Sequence, residues 1–157
     1  NSDGKLFLYR NVQGGDLYYS NPTGDGKWAE PKEFDSKISN THLDAHFFIN
    51  QKEDRIVFAS DKDGKDKGLE LYQSYKGASG DWSKPEPLGN IINSEFDEDS
   101  PFLTEDGNTL YFSSNGHNTL GKYDVFKSTY NESTGQCQNR LTWDSLSIRQ
   151  MIKPISK

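Results

Sequence analysis

The chain repeats itself every 54 residues, and this period constrains its fold more than any single motif does. Asp16-Leu17-Tyr18 returns as Glu70-Leu71-Tyr72 (70 − 16 = 54), and again as Asp124-Val125-Phe126. Trp28-Ala29-Glu30-Pro31 likewise returns as Trp82-Ser83-Lys84-Pro85. A fixed period of this length is typical of stacked units, each of which buries its apolar face against its neighbours.

The copies also separate scaffold residues from candidates for function. We place them at about residues 3–49, 50–103 and 104–136, within a repeat region that spans residues 1–136. A side chain that recurs in every copy is expected to serve the scaffold. A side chain found in one copy alone is a candidate for a copy-specific function.

Composition limits what these units can be. Only 31% of the 157 residues are hydrophobic, so the core must be thin and shared among short strands, with the 13% of aromatic residues carrying much of the burial. The net charge of −6 argues against a nucleic-acid partner, because no basic face is present to replace counterions. No apolar run is long enough to span a bilayer. With Cys137 as the single cysteine, an internal disulfide is excluded.

Each copy has the pattern of short strands separated by polar turns, with no sustained helical periodicity. In each unit the first two predicted strands are apolar–aromatic runs, the third segment carries a tryptophan and a proline, and the fourth strand precedes the next turn. The predicted strands are Lys5–Tyr9, Asp16–Ser20, Trp28–Pro31, Ala45–Ile49, Arg55–Ser60, Leu69–Ser74, Trp82–Pro85, Ser100–Leu103, Leu110–Ser114 and Tyr123–Ser128. The tryptophan segments are placed at the outer edge, because their prolines lack the donor that a central strand needs.

Four short antiparallel strands per repeat describe a blade of a β-propeller. The sequence therefore predicts an all-β fold, a fragment with about two to three four-stranded antiparallel blades in a ring that does not close. Phe7, Val57 and Tyr111 are expected to occupy equivalent strands of successive units.

The third copy resembles a known repeat. The run Ser100-Pro101-Phe102-Leu103-Thr104-Glu105-Asp106-Gly107-Asn108-Thr109-Leu110-Tyr111-Phe112-Ser113-Ser114 is similar to the WD40-like β-propeller repeat of the Pro-Asp-Gly type, as in TolB-like propellers. The Trp-x-x-Pro segment followed by Leu88-Gly89 and Ile92-Asn93-Ser94 resembles repeats in cell-envelope proteins of Bacteroidetes-type bacteria. In those proteins the propeller often precedes a peptidoglycan-binding domain similar to outer membrane protein A. The resemblance covers roughly residues 3–136.

This resemblance implies a non-catalytic interaction scaffold of the bacterial cell envelope, in the periplasm or associated with the outer membrane. Its partners would be proteins or cell-wall glycans, and it would need no cofactor. The alternative is the propeller domain of a hydrolase, a peptidase or a glycosidase, whose catalytic residues lie outside this sequence. The sequence contains no nucleophile elbow or phosphate loop, and no pair of carboxylates is indicated that would face each other as in a glycosidase. We therefore predict that the chain is not an enzyme.

A carboxylate cluster, Asp97-Glu98-Asp99, stands just before a predicted strand. Two interpretations are open: a site for a cation or a basic partner, or a loop whose acids accept hydrogen bonds from nearby backbone amides. Glu98 has a counterpart in Asp44, which indicates a scaffold role. Asp97 and Asp99 correspond to Leu43 and Ala45, so these two acids are copy-specific.

We nominate Asp97, Asp99, Asn115 and His117 as the candidate binding residues. The three histidines, His42, His46 and His117, lack the mutual spacing and the cysteine partners of a metal site, so isolated surface positions and no metal are expected. Asp61–Asp66 alternates oxygen ligands as a calcium loop does, but it lacks the EF-hand spacing and carries interleaved lysines. A charged hairpin is the prediction there.

The repeat stops at Cys137, near the position where the period requires a tryptophan. One permitted codon choice for residues 137–152, with a single G restored after the first two bases of the Cys137 codon, reads Trp-Ser-Glu-Pro-Val-Asn-Leu-Gly-Phe-Pro-Ile-Asn-Thr-Ala-Asp-Asp. That reading closely follows residues 82–94. We interpret residues 137–157 as a non-repeat tail that is out of frame, and predict that it is disordered or poorly placed and that Cys137 has no role. The alternative is a genuine short helix with Leu141, Ser145, Ile148 and Ile152 on one face.

Overall fold

Three antiparallel β-sheets form the described part of the chain. The computed structural model describes residues 4–10, 16–39, 44–64, 68–117, 119, 121–131, 134 and 136–142. Sheet 1 contains β1 (Leu6–Arg10), β2 (Asp16–Ser20) and β3 (Lys32–Glu33); sheet 2 contains β4 (Asp44–Ile49), β5 (Arg55–Ser60), β6 (Glu70–Tyr75) and β7 (Glu86–Pro87); sheet 3 contains β8 (Glu98–Leu103), β9 (Thr109–Ser114), β10 (Asp124–Asn131) and β11 (Gln136–Thr142). Within each sheet the spatial order of the strands is their order in the chain. No described residue is helical, and the all-β prediction is confirmed.

Equivalent strands follow the sequence period. The pairs β4 and β8, β5 and β9, and β6 and β10 each begin 54 residues apart, as do β2 and β6. Phe7, Val57 and Tyr111 lie in equivalent strands, as predicted. Each faces a cross-strand partner at the corresponding position, and those partners are Tyr19, Gln73 and Lys127.

The outer edge differs from the prediction. Trp28 and Trp82 form only isolated bridges, to Pro22 and Lys76. The short edge strands β3 and β7 instead follow Pro31 and its counterpart in the second copy. β7 itself contains Pro87, paired with Tyr72, which an edge strand tolerates because its outer side needs no donor.

Two apolar clusters hold the sheets together, and sheet 2 contributes to both. Successive residues of a strand point to opposite faces, so Ile56 and Phe58 of β5 enter one cluster while Val57 and Ala59 enter the other. The first cluster joins sheets 1 and 2 and consists of Leu17, Ile38, Ile56, Phe58, Tyr72 and Trp82. The second joins sheets 2 and 3 and consists of Val57, Ala59, Leu71, Leu88, Ile92, Leu103, Leu110, Phe112, Phe126, Tyr130 and Cys137. All six residues of β5 are buried, which makes sheet 2 the middle layer.

Recurring serines attach the edge segments to the sheets. The hydroxyl of Ser20 donates to the carbonyl of Ala29 at 2.6 Å, and its counterpart Ser74 donates to the carbonyl of Ser83 at 2.8 Å. Ser128, the third counterpart, donates to the carbonyl of Gln138 at 3.3 Å. These buried hydroxyls therefore have the scaffold role that recurrence indicates.

The prediction for the tail is wrong for residues 137–142. These residues belong to β11, which pairs with β10, and Cys137 is buried opposite Tyr130 in the cluster between sheets 2 and 3. The alternative helix is contradicted at Leu141, which lies in the same strand. The physical reason is that strand pairing uses backbone groups, so β10 can pair along its outer edge with a segment whose side chains differ from the repeat. Burial raises the pKa of the Cys137 thiol. Residues 143–157 lie outside the described residues.

Candidate functional site

The nominated residues lie at one end of sheet 3, where β8 begins and β9 ends. Glu98, the first residue of β8, pairs with Ser114, the last residue of β9. Antiparallel pairing therefore brings the acids that flank Glu98 close to the polar residues that follow Ser114. The residues at this end of the sheet nevertheless form three separate sets of contacts.

Asp97 and Asn115 form the first set. The carboxylate of Asp97 accepts hydrogen bonds from the amide of Leu69 at 2.9 Å, from Nδ2 of Asn115 at 3.3 Å and from the Tyr123 hydroxyl at 3.1 Å. Oδ1 of Asn115 accepts from the Asp97 amide at 2.8 Å. Burial, followed by the hydrogen bond to Asp97, raises the pKa of Tyr123 to about 12. Both carboxylate oxygens of Asp97 are thus occupied, which favours its interpretation as an acceptor for local donors.

Gly68 makes the position of Asp97 possible. It has a φ of +72°, and a Cβ at this position would lie 2.6 Å from Oδ1 of Asp97 and 3.1 Å from the backbone of Phe96. We expect Gly68→Ala to lower the free energy of unfolding by about 3 kcal/mol, the sum of left-handed backbone strain and overpacking. Gly80→Ala is the control for strain alone, because Gly80 has a φ of +88° and nothing within 4 Å of its Cβ position. Equal losses in urea unfolding would show that contact with Asp97 is unimportant.

Glu98 forms the second set, in the interior. Its side chain is completely buried, and its carboxylate accepts hydrogen bonds from the amide of Ser94 at 2.8 Å, the Ser94 hydroxyl at 2.6 Å and the Ser114 hydroxyl at 2.8 Å. Nε2 of His117 lies 3.4 Å from Oε1 of Glu98. Three donors around one buried carboxylate compensate for the loss of its hydration. The scaffold role predicted from the counterpart Asp44 agrees with this arrangement.

His117 is not a surface histidine, and that prediction is wrong. Its side chain is 6% exposed, and Nε2 lies 2.6 Å from the carbonyl oxygen of Ile92. A carbonyl can only accept, so Nε2 carries the hydrogen in this contact. The ring meets Phe112 and Phe126 edge-on, with centroids 6.4 and 5.5 Å away. The positive φ of His117, +58°, turns the chain so that the ring folds inward after β9.

Asp99 and His46 form the third set, between sheets 2 and 3. Nδ1 of His46 lies 2.8 Å from each carboxylate oxygen of Asp99. The His46 side chain is 65% exposed and that of Asp99 is 18% exposed. Ser100, which follows Asp99, has a φ of +51° at the irregularity where β8 departs from regular pairing with β9. Asp99 also accepts a hydrogen bond from the amide of Ser100 at 2.6 Å. Its exposed partner His46 was not among the nominated residues.

The nominated residues therefore do not form one site. Asp97 joins Asn115, His117 lies beside Glu98, and Asp99 reaches across to His46. Within the described ranges, no three His, Cys, Asp or Glu side chains are grouped as metal ligands. His42 lies outside the described residues, as does part of the predicted charged hairpin.

Arg55 is a notable side chain that sequence reasoning missed. It is a buried arginine at the start of β5, and its counterpart one period later is Thr109. The difference between copies was the signal that could have identified it. Its surroundings place it at the opposite end of the strands from His46 and Asp99.

No protein-family model matches this chain, and no curated protein matches it in sequence. In the part of the chain that the structure covers, there is no helix with the length and apolar character needed to cross a membrane. The geometry of the chain itself is therefore the basis for assigning a function.

Proposed function

We propose that the three sheets are blades of a WD40-like β-propeller and that the protein is a non-catalytic interaction scaffold of the bacterial cell envelope. In this role it binds protein or cell-wall glycan partners in the periplasm or at the outer membrane. Supporting the architecture are the consecutive strand order in each sheet, the 54-residue spacing of equivalent strands and the face-to-face apolar clusters. The envelope location follows from the resemblance of the repeats alone.

The free face of sheet 3 supports stacking of further units. Val125 is 50% exposed, although its counterpart Leu71 is completely buried in the cluster between sheets 2 and 3. Large apolar side chains that recur at positions buried in one unit are expected to be covered by a neighbouring unit in a stacked fold. The exposed position of Val125 in sheet 3 could therefore be covered by a further unit.

The exposed His46–Asp99 pair is the observation that carries the binding role. Both residues are copy-specific, since Ser100 and Ala45 stand at the corresponding positions. The pair lies where β4 and β8 approach each other, and its imidazole faces solvent. It is therefore a polar contact point at the surface between sheets 2 and 3.

Binding to isolated peptidoglycan and to envelope proteins tests this function. We expect His46→Ala and Asp99→Asn each to weaken co-sedimentation with peptidoglycan, or cross-linking to an envelope protein, by about tenfold, which corresponds to about 1.4 kcal/mol. Lys84→Ala, on an exposed side chain of the outer segment, is the matched control and should leave binding unchanged.

Catalysis would contradict the proposal. Turnover of a peptide or glycan substrate by the purified chain, abolished by substitution of Asp97 or Asp99, would identify a hydrolase instead. Stoichiometric calcium uptake in calorimetry that the same substitutions abolish would likewise replace a partner surface with a metal site.

A further inference from the structure

A cleft of about 740 Å³ opens between sheets 2 and 3 at the ends of the strands remote from His46 and Asp99. The β4–β5 turn forms one wall and the β8–β9 turn forms the other. Between them the cleft is lined by Arg55 of β5, Tyr75 of β6 and Tyr130 of β10. Two of the three sheets thus contribute to a single concave surface that carries a cation flanked by aromatic rings.

Arg55 carries a positive charge for which the described residues supply no anion. Its side chain is 7% exposed, and Nη2 donates to Oε1 of Gln73 at 2.8 Å. The guanidinium carbon lies 3.8 Å from the ring centroid of Tyr130 and 5.3 Å from that of Tyr75. None of the described carboxylates lies within 4 Å of the guanidinium, and Nε of Arg55 is the one fully buried side-chain nitrogen or oxygen of the described residues that lacks a hydrogen-bond partner.

This arrangement is unfavourable for the scaffold alone. Ring faces and a neutral amide stabilise a cation, but less than an anion does when the cation is removed from water. The buried guanidinium would therefore be stabilised by an anion that binds from solution. The two tyrosine hydroxyls hydrogen-bond to each other beside Arg55, which fixes the rings in place.

The residues around Arg55 are all copy-specific, so the repeating fold does not require them. The counterparts of Arg55, Gln73, Tyr75 and Tyr130 are Thr109, Lys127, Thr129 and Lys76. The serines and Glu98, in contrast, recur in kind and serve the scaffold. These four contacting residues therefore belong to a feature that the repeat itself does not impose.

We propose that this cleft binds a carboxylate through Arg55. The planar guanidinium matches a carboxylate with two parallel hydrogen bonds, and the tyrosine rings offer apolar contact to the rest of the ligand. The mouth carries Lys52 and Lys76 but also Asp54, Glu105 and Asp106. The hydrogen bond from Thr104 holds the pKa of the Asp106 carboxyl below its usual range, so this acid is charged at neutral pH. Acids at the mouth repel a doubly charged phosphate more than a singly charged carboxylate.

A carboxylate of this kind comes from a peptide or from an acidic sugar, and paired probes separate the two. The probes are N-acetyl-dialanine and its C-terminal amide, and glucuronate and glucose. The readout is the Nε–H signal of Arg55 in a ¹⁵N-edited NMR spectrum of the whole chain. We expect a saturable shift with one or both carboxylate probes and none with the neutral twins; a response to the peptide alone or to glucuronate alone identifies the source.

The variant Arg55→Met removes the charge at similar volume. We expect it to weaken carboxylate binding by about tenfold or more while its unfolding midpoint stays equal or rises, because no uncompensated charge remains. If Arg55 served the fold alone, Arg55→Met would lower the unfolding midpoint instead. Arg55→Lys keeps the charge without the planar fork and should bind more weakly than the unaltered chain.

Three results would overturn the proposal: no shift of the Arg55 signal with either carboxylate, the same shift with a neutral twin, or undiminished binding by Arg55→Met. The first two results come from the titration of the unaltered chain, so they test the proposal even if a variant does not fold. Because the His46–Asp99 pair lies at the other end of β4 and β8, its variants leave this titration unchanged, so failure here and failure of the envelope-scaffold role are distinguishable.

Discussion

Glu98→Ala is expected to lower the free energy of unfolding by about 3–5 kcal/mol, as the loss of one partner in a buried charged network does. The substitution leaves the amide and hydroxyl of Ser94 and the hydroxyl of Ser114 facing a cavity where the carboxylate accepted their hydrogen bonds. Each orphaned buried donor costs about 1–3 kcal/mol. Since small domains are stable by only about 5–15 kcal/mol, this single change approaches the whole stability of the chain.

The control is Glu95→Ala, three residues earlier in the chain. Glu95 is exposed, and its replacement should change the stability by no more than about 0.5 kcal/mol. Urea unfolding followed by tryptophan fluorescence gives both values. If the two variants unfold at the same urea concentration, the hydrogen bonds around Glu98 do not contribute to the free energy of unfolding, and the carboxylate must be assigned another role.

The strands could be predicted from sequence because their signals are local. Apolar alternation and turn residues identify a strand within the chain that forms it, and the period transfers each assignment to the next copy. Arg55–Ser60 and Asp16–Ser20 coincide with β5 and β2, and the other main strands differ by one to three residues at an end. The outer edge was the exception, because the edge strands β3 and β7 are only two residues long and begin after the predicted tryptophan segments.

The site depends on contacts that no local signal contains. Asp97 and Asn115 could be placed together, since they flank a strand pair joined by a short turn. The partners His46 and Asp99 belong to different sheets, as do Arg55 and Tyr130, and only the packing of one sheet on another brings them together. His117 was misjudged for a related reason, because its burial follows from a positive φ and from rings on β9 and β10.

The repeat was informative for the groups that it could compare. Glu98 has a counterpart in Asp44, and the structure shows the saturated, buried carboxylate expected of a scaffold group. Asp97 was copy-specific and yet binds local donors, so a difference between copies is not sufficient for function. Arg55 and Asp97 differ in their polar partners. Both carboxylate oxygens of Asp97 accept hydrogen bonds, whereas among the described residues Arg55 has no anionic partner and its Nε has no hydrogen-bond acceptor.

The register of Cys137 supports the interpretation of a shifted reading frame. Cys137 faces Tyr130 in β10, just as Trp82 faces Lys76 in the copy before, so the cysteine occupies the position of the repeated tryptophan. The shifted reading places a tryptophan there. It also restores Leu, Ile and Asn at the positions of Leu88, Ile92 and Asn93, which are buried in the segment that follows β7.

Replacing residues 137–152 by Trp-Ser-Glu-Pro-Val-Asn-Leu-Gly-Phe-Pro-Ile-Asn-Thr-Ala-Asp-Asp is therefore expected to stabilise the chain by about 1–2 kcal/mol. Burying the tryptophan in the cluster that holds Cys137 contributes about 1.5–3 kcal/mol, and the ordering of the segment offsets part of this. The leucine and the isoleucine lie on the free face of sheet 3, because their counterparts Leu88 and Ile92 face the next sheet, and they contribute little. The restored asparagine adds the pair of hydrogen bonds that Asn93 makes to the backbone of Leu71, at 3.0 and 3.1 Å. Thermal and urea unfolding measure the gain.

The matched control is the same sixteen residues in scrambled order, which keeps composition and length but loses the register of the apolar positions. Its stability should equal that of the unaltered chain, because β10 pairs with any extended segment through backbone groups alone. A scrambled tail that stabilises as much as the ordered one would show that the gain comes from composition, and the shifted frame would lose its structural support. An intact reading frame through Cys137 in the source gene and in related genes would reject the frame shift itself, because the tail would then be a segment that evolved as it stands.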